Sequence, residues 1–140
     1  AIAGYIADTF PAAGLAGDGS ARQRAEALRW LSYVNSDLHP AFIPMFAPGK
    51  LIEDPAQYEA IKAAARLRVR SVLETAERRL QDRQWLAGFR SFADPYLYMT
   101  LRWAGGLGVD LSGLDALAAF KSRMDADAGV QRALKAEGLA

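Results

Sequence analysis

Residues 92–104 constrain the fold more than any other stretch of the chain. Between Phe92 and Ala104 only Asp94 and Arg102 are charged, and the rest is dominated by Tyr96, Leu97, Tyr98, Met99, Leu101 and Trp103. A helix with apolar groups round nearly its whole circumference has to be enclosed by other helices. Ser91 and Asp94 stand three residues apart at its start. That is the spacing of a capping box, in which an N-cap hydroxyl and an N3 carboxylate each accept the other's backbone N–H, here with Asp in place of the commoner Glu. Phe89, or by strict spacing Arg90, sits where a staple residue packs back on the first turn. The pattern predicts a capped central helix of a bundle, stopped by Gly105-Gly106.

With 140 residues, 51% hydrophobic and 24% charged, the chain can bury a proper core as one domain and is too apolar for a disordered tail. The 17 Lys+Arg and 16 Asp+Glu give a net charge of +1 and are spread along the chain, so no nucleic-acid or membrane partner is expected. The absence of cysteine excludes a disulfide, a thiolate metal site and a thiol nucleophile. No apolar run approaches the roughly 18 residues of a membrane span. These features fit the cytoplasm. The chain opens on Ala1 in the middle of a helical pattern, with no initiator Met and no cap, and reads as a piece of a longer protein.

In chain order there are helix signals and no strand signals. Ile2, Tyr5 and Ile6 give a short first helix an apolar face, and Phe10-Pro11 ends it. The Gly- and Ala-rich residues 11–19 form a connector, whose glycines follow no strand and so make no dinucleotide fingerprint. Ser20 caps a long second helix through Phe46, with Leu28, Leu31, Leu38, Phe42 and Phe46 as its apolar stripe. Pro40 and Pro44 fall inside it and should bend it near His39. Asp54-Pro55 restarts the helical pattern to about Arg83, with Ile61, Leu67, Val72, Leu73, Ala76 and Leu80 as the apolar positions and Glu74–Arg78 as a favourable i,i+4 pair. Its arginines are scattered round the helix and form a solvated structural face, not a phosphate site. Leu114, Leu117, Ala118 and Phe120, then Val130, Ala133 and Leu134, mark two further helices, the last ending at Gly138.

One set of residues can carry chemistry. On a helical wheel begun at Leu28, Ser32, Asn35, Ser36 and His39 fall within about 100° of one another, a polar stripe beside an apolar one. Such a stripe suggests a wet cleft, with Ser32, Asn35 and Ser36 as substrate-binding candidates. His39 is the only histidine, and imidazole is the side chain whose ordinary pKa lies nearest neutrality. Two readings of it stand: a catalytic group, or a structural one that bonds a carbonyl at the bend before Pro40. A Ser/His/Asp triad with Asp37 is excluded, because residues two apart on a helix point away from each other. One histidine without cysteine also argues against a metal site.

Four stretches together resemble a known family. They are residues 1–8 with Phe10-Pro11 and Gly14-Leu15; Leu28-Arg29-Trp30-Leu31 leading to Asp37-Leu38-His39 and Pro44-Met45-Phe46; Trp85-Leu86-Ala87-Gly88 leading to Ser91-Phe92-Ala93-Asp94; and Tyr96 through Trp103, with Val130-Gln131 and Glu137-Gly138-Leu139 closing the chain. The chain is similar to the all-helical C-terminal domain of bacterial glutathione transferases, most closely the beta class. The resemblance implies an all-α, glutathione-transferase C-terminal-like bundle. Residues 1–10 would be the last helix of a preceding thioredoxin-like domain, 11–19 a linker, and 20–140 the helical domain.

The resemblance further implies an enzyme that joins the glutathione thiol to small electrophiles, as a homodimer. Glutathione would be the co-substrate of the full-length protein, held mainly by the thioredoxin-like domain, so this chain alone would bind no cofactor and be inactive. His39 matches a histidine that faces the glutathione site and is the implied catalytic residue. Tyr96 and Trp103 match positions near the electrophile. Pro40 stands where the family has a lysine, and Ser32 where it often has an asparagine that reaches glutathione in the dimer. The rival reading is a non-catalytic docking module of the same fold.

Overall fold

A computed structural model describes residues 1–139, and every regular element among them is helical. The helices are α1 (Ile2–Thr9), α2 (Ala21–Tyr33), α3 (His39–Ala41), α4 (Ile43–Phe46), α5 (Tyr58–Leu80), α6 (Ala93–Gly106), α7 (Asp115–Asp125) and α8 (Ala128–Ala136). Trp30, Val34, Leu38, Phe42 and Met45 from the α2–α4 run meet Val69, Leu73, Ala76 and Leu80 of α5 around Leu97, Leu101 and Ala104 of α6, and Leu117, Phe120 and Met124 of α7 close the far side. The all-α bundle expected from the sequence is the observed architecture, with α6 at its centre.

The start of α6 explains how a buried helix end is tolerated, since its first N–H groups have no partner within the helix. Asp94 Oδ2 accepts the Ser91 N–H at 2.7 Å and the Ser91 hydroxyl at 3.1 Å, while Ser91 Oγ accepts the Ala93 N–H at 3.3 Å. The Phe92 N–H donates to Leu15 O at 3.0 Å, tying the connector to the helix. Asp94 Oδ1 accepts a third donor for this carboxylate, the Leu86 N–H, at 3.1 Å. Both Ser91 and Asp94 are fully enclosed. Burial pushes the Asp94 carboxyl above the ordinary carboxylate range, and the donors of Ser91 and Leu86 pull the other way. Arg90, at the strict staple position, instead pairs with Asp127 at 2.8 Å, and Phe89 packs with Phe92 in a small second cluster with Ala7, Ala27 and Leu15. Gly17 in the connector has φ +94°, and a Cβ there would lie 2.5 Å from Gln23 Cβ, so no larger residue fits this turn.

Ser20 Oγ accepts the Gln23 N–H and opens α2. The bend expected at His39 is realised one turn earlier, as a wide π-helical turn over Val34–Leu38 in which the His39 N–H reaches back five residues to Val34 O. A turn of this kind accommodates the donor and the space that Pro40 removes. The expected apolar stripe needs correcting. Leu38 and Phe42 are buried, but Leu28 and Phe46 are 40% and 53% exposed, and Ala27, Trp30 and Val34 take the core positions. Alanine at 27 lets α1 approach closely, so the helix turns its smallest residue, not Leu28, to that neighbour.

On α5, Val72, Leu73, Ala76 and Leu80 are buried, whereas Leu67 is 74% exposed and Ile61 only half-buried. The arginines are tethers more than a solvated face: Arg66 donates to Leu107 O, Arg70 to Asp110 O and Ser112 O, and Arg79 to Leu86 O. Glu74 pairs with Arg70 at 3.3 Å, not with Arg78, which turns to Thr75. Glu77, enclosed in the core, accepts the Ala116 and Leu117 N–H groups and so caps α7 from a different helix. The stop of α6 is also displaced. The helix runs through Gly105-Gly106, and Gly108 (φ +72°) closes it in a Schellman motif, with Val109 N–H on Ala104 O and Gly108 N–H on Gly105 O.

At the start of α8, Asp127 accepts the Gly129 and Val130 N–H groups. The Val130 N–H and the Arg90 guanidinium hold its carboxyl below the usual range against partial burial. A depressed folded-state pKa means that this stabilisation is present above about pH 4 and lost as pH falls through the folded value. Asp127→Ala should therefore cost about 1 kcal/mol near neutrality, speeding amide exchange in the first turn of α8 about fivefold. The difference from wild type should shrink in acid. Equal exchange rates in the two proteins at neutral pH would contradict this role.

Candidate functional site

Three elements converge on one open face: α1, the run from α2 through the wide turn, and the first half of α6. Between them lies a groove of about 800 Å³ lined by Ile2, Ile6, Leu28, Leu31, Phe92 and Pro95, with Ser32, Asn35 and Tyr96 as its polar groups. The lining is mainly apolar with a few polar groups at one end, the usual make-up of a small-molecule or docking cleft. Two of the three stripe serine and asparagine candidates, Ser32 and Asn35, are on this groove. Ser36 is exposed and lies outside it. The wheel assumed a uniform α-helical advance, and the wide turn at Val34–Leu38 advances the chain less per residue, so the four polar groups do not stay in line.

His39 is half-buried beside the groove. Its Nδ1 lies 2.5 Å from the Tyr96 hydroxyl, which is also 3.5 Å from Asn35 Oδ1. The imidazole meets Tyr96 and Trp103 edge-on, with ring centroids 5.7 Å and 5.0 Å apart. Burial raises the Tyr96 phenol above its ordinary pKa, so the hydroxyl keeps its proton. Tyr96 and Trp103 are seven residues apart on α6, which is two turns on one face. Phe42 and Phe46 meet Trp103 edge-on at 5.6 Å and 5.3 Å. The result is one polar pair, His39 and Tyr96, set against an aromatic wall.

Sequence reasoning did not assign Phe42 and Phe46 to this wall. Their signal was present, because both follow His39 at helical spacing, three and seven residues on. The role of Asn35 beside the Tyr96 hydroxyl was equally out of reach, since 61 residues separate them. Among the described residues no group of three or more His, Cys, Asp or Glu side chains gathers to hold a metal ion, and no helix is long and apolar enough to cross a membrane.

The family description "Glutathione S-transferase, C-terminal domain" matches residues 25–127. The chain is 52% identical to the glutathione S-transferase GST-4.5 of Xanthomonas campestris pv. campestris over 140 residues, which is 99% of this chain and 69% of that protein. The solved glutathione S-transferase from Xylella fastidiosa is 49% identical and superposes with a TM-score of 0.94, over 99% of this chain and 68% of that one. A beta-class glutathione S-transferase from Sphingomonas chungbukensis is 35% identical with a TM-score of 0.85, over 99% and 66%. The chain thus spans about two thirds of the length of these relatives. Its capped central helix, its helical bundle and these matches together identify it as a member of the glutathione S-transferase family, corresponding to the all-helical C-terminal domain of the bacterial beta-class type.

Proposed function

We propose that this chain supplies the electrophile side of a glutathione-conjugating active site, working joined to a thioredoxin-like domain that holds glutathione. The observation that carries the reading is the placement of a half-buried imidazole against Tyr96 and Trp103 at the end of an open apolar groove. In this reading His39 donates to the glutathione sulfur and stabilises its thiolate, a charge that develops as the thiol loses its proton. Trp103, with Phe42 and Phe46, forms the wall on which an apolar electrophile rests, and Ser32 and Asn35 line the approach. The nucleophile comes from glutathione, consistent with a chain that has no cysteine of its own.

The exposed side chains of α1 support a partner domain. Ile2, Tyr5 and Ile6 are 79%, 72% and 42% exposed, although the sequence gives them the apolar face of that helix. Such a surface is normally covered. The working unit is a homodimer in this proposal, with exposed Leu67 of α5 available to a second copy.

The test compares the chain alone with the two-domain protein on immobilised glutathione and in conjugation of a model electrophile. The chain alone should neither be retained nor conjugate, and should self-associate through its uncovered groove, while the two-domain protein should do both. Conjugation by the isolated chain would overturn the placement of the glutathione site. A two-domain protein that binds no glutathione and conjugates nothing would favour the docking-module reading.

A further inference from the structure

The contact between His39 and Tyr96 involves two groups that can each donate or accept, and only one proton can lie between them. If His39 carried its proton on Nδ1 and donated to the phenol oxygen, the phenol proton would need another acceptor. The one protein acceptor within reach is Asn35 Oδ1 at 3.5 Å, a poor bond by distance, and the phenol would otherwise have to turn its proton to solvent. If Tyr96 donates to Nδ1, the proton sits in the 2.5 Å contact and no group is left short. Imidazole then carries its own proton on Nε2. Among the described residues Nε2 has no hydrogen-bond partner, and no buried side-chain nitrogen or oxygen lacks one, so this nitrogen is open to solvent and free to donate to a ligand.

We propose that Tyr96 is a positioning residue that fixes His39 as the Nε2–H tautomer, turning the ring into a neutral N–H donor aimed at an anionic ligand such as a thiolate. This rests on the catalytic reading of His39 only for its consequence, not for the tautomer itself. It also gives Tyr96 a part distinct from that of a wall residue. A wall needs the ring, whereas the tautomer needs the hydroxyl.

His39 is the only histidine, so the ring nitrogens of the ¹⁵N-labelled chain can be assigned without ambiguity. In mildly alkaline buffer, where imidazole is neutral, NMR should show a pyrrole-like Nε2 and a pyridine-like Nδ1 shifted by its hydrogen bond. Tyr96→Phe keeps the ring and removes the donor. The minor Nδ1–H form should rise about fivefold, the loss of one ordinary hydrogen bond, and the Nδ1 resonance should move toward that of free imidazole. An Nδ1–H majority in the wild-type chain, which can be read even if the variant does not fold, would overturn the assignment. So would an Nδ1 resonance unchanged in a folded Tyr96→Phe. In the two-domain enzyme the same variant should lower kcat only in proportion to the Nε2–H fraction lost, less than about twofold while that form remains the majority, and leave the KM for the electrophile unchanged. A shifted tautomer with unchanged kcat would overturn the catalytic role of His39 while leaving the tautomer assignment standing.

Discussion

Asp94→Ala should lower stability by roughly 3–5 kcal/mol, because it leaves the Leu86 and Ser91 N–H groups buried without acceptors at about 1–3 kcal/mol each and removes the cap of the central helix. That is a large share of the 5–15 kcal/mol typical of a whole domain. The thermal midpoint should fall on the order of 10 °C. Asp94→Asn should lie nearer to Ala than to wild type, since a carboxamide offers one oxygen where the two backbone donors approach the two oxygens of Asp94 separately. Ser91→Ala should cost less, about 1–2 kcal/mol, because only the Ala93 N–H loses its acceptor. Denaturation midpoints measured on the three variants check the order. An unchanged midpoint in Asp94→Ala would contradict the role given to this carboxylate.

The size of that effect marks the limit of what the residues alone disclose. The spacing of Ser91 and Asp94 was visible in the sequence because a capping box is local, and so was the enclosed helix that follows it. The Leu86 N–H on Asp94 and the Leu15 carbonyl on Phe92 were not, since no pattern in the chain couples a loop or a connector to a helix start across the fold. The same division holds elsewhere. Ser20, Asp54 and Asp127 cap helices from adjacent positions and accept nearby N–H groups, but α7 is capped by Glu77, about 40 residues upstream, which sequence reading would place on the surface as one more charge. Helical-wheel reasoning placed Leu38 and Phe42 in the core and misplaced Leu28, Phe46 and Leu67, because a wheel gives a direction but not which neighbour fills it. The candidate site follows suit. His39 stood out by being the only histidine, while its partner Tyr96 is 57 residues away, and the resemblance to the transferases, not any periodicity, brought Tyr96 and Trp103 into consideration.

The second large effect concerns that histidine. In the two-domain enzyme His39→Ala should lower turnover by roughly 10-fold or more, the lower range for a positioned acid, base or hydrogen-bond donor acting on developing charge. Its cost to folding should be far smaller, because His39 is only half-buried and its removal frees the Tyr96 hydroxyl to bond water at the groove. A structural histidine would behave in the opposite way, with stability reduced and turnover per folded molecule intact. The pH profile separates the cases further, since a group that stabilises the thiolate shifts the pH at which the thiol becomes reactive.

The most direct measurement is therefore turnover per folded molecule of His39→Ala across pH, with the thermal midpoint taken on the same preparation. The account predicts turnover reduced about tenfold or more, a pH profile displaced to higher pH as the thiolate loses its donor, and a midpoint close to wild type. Normal turnover with an unchanged profile would contradict it and remove His39 from the mechanism.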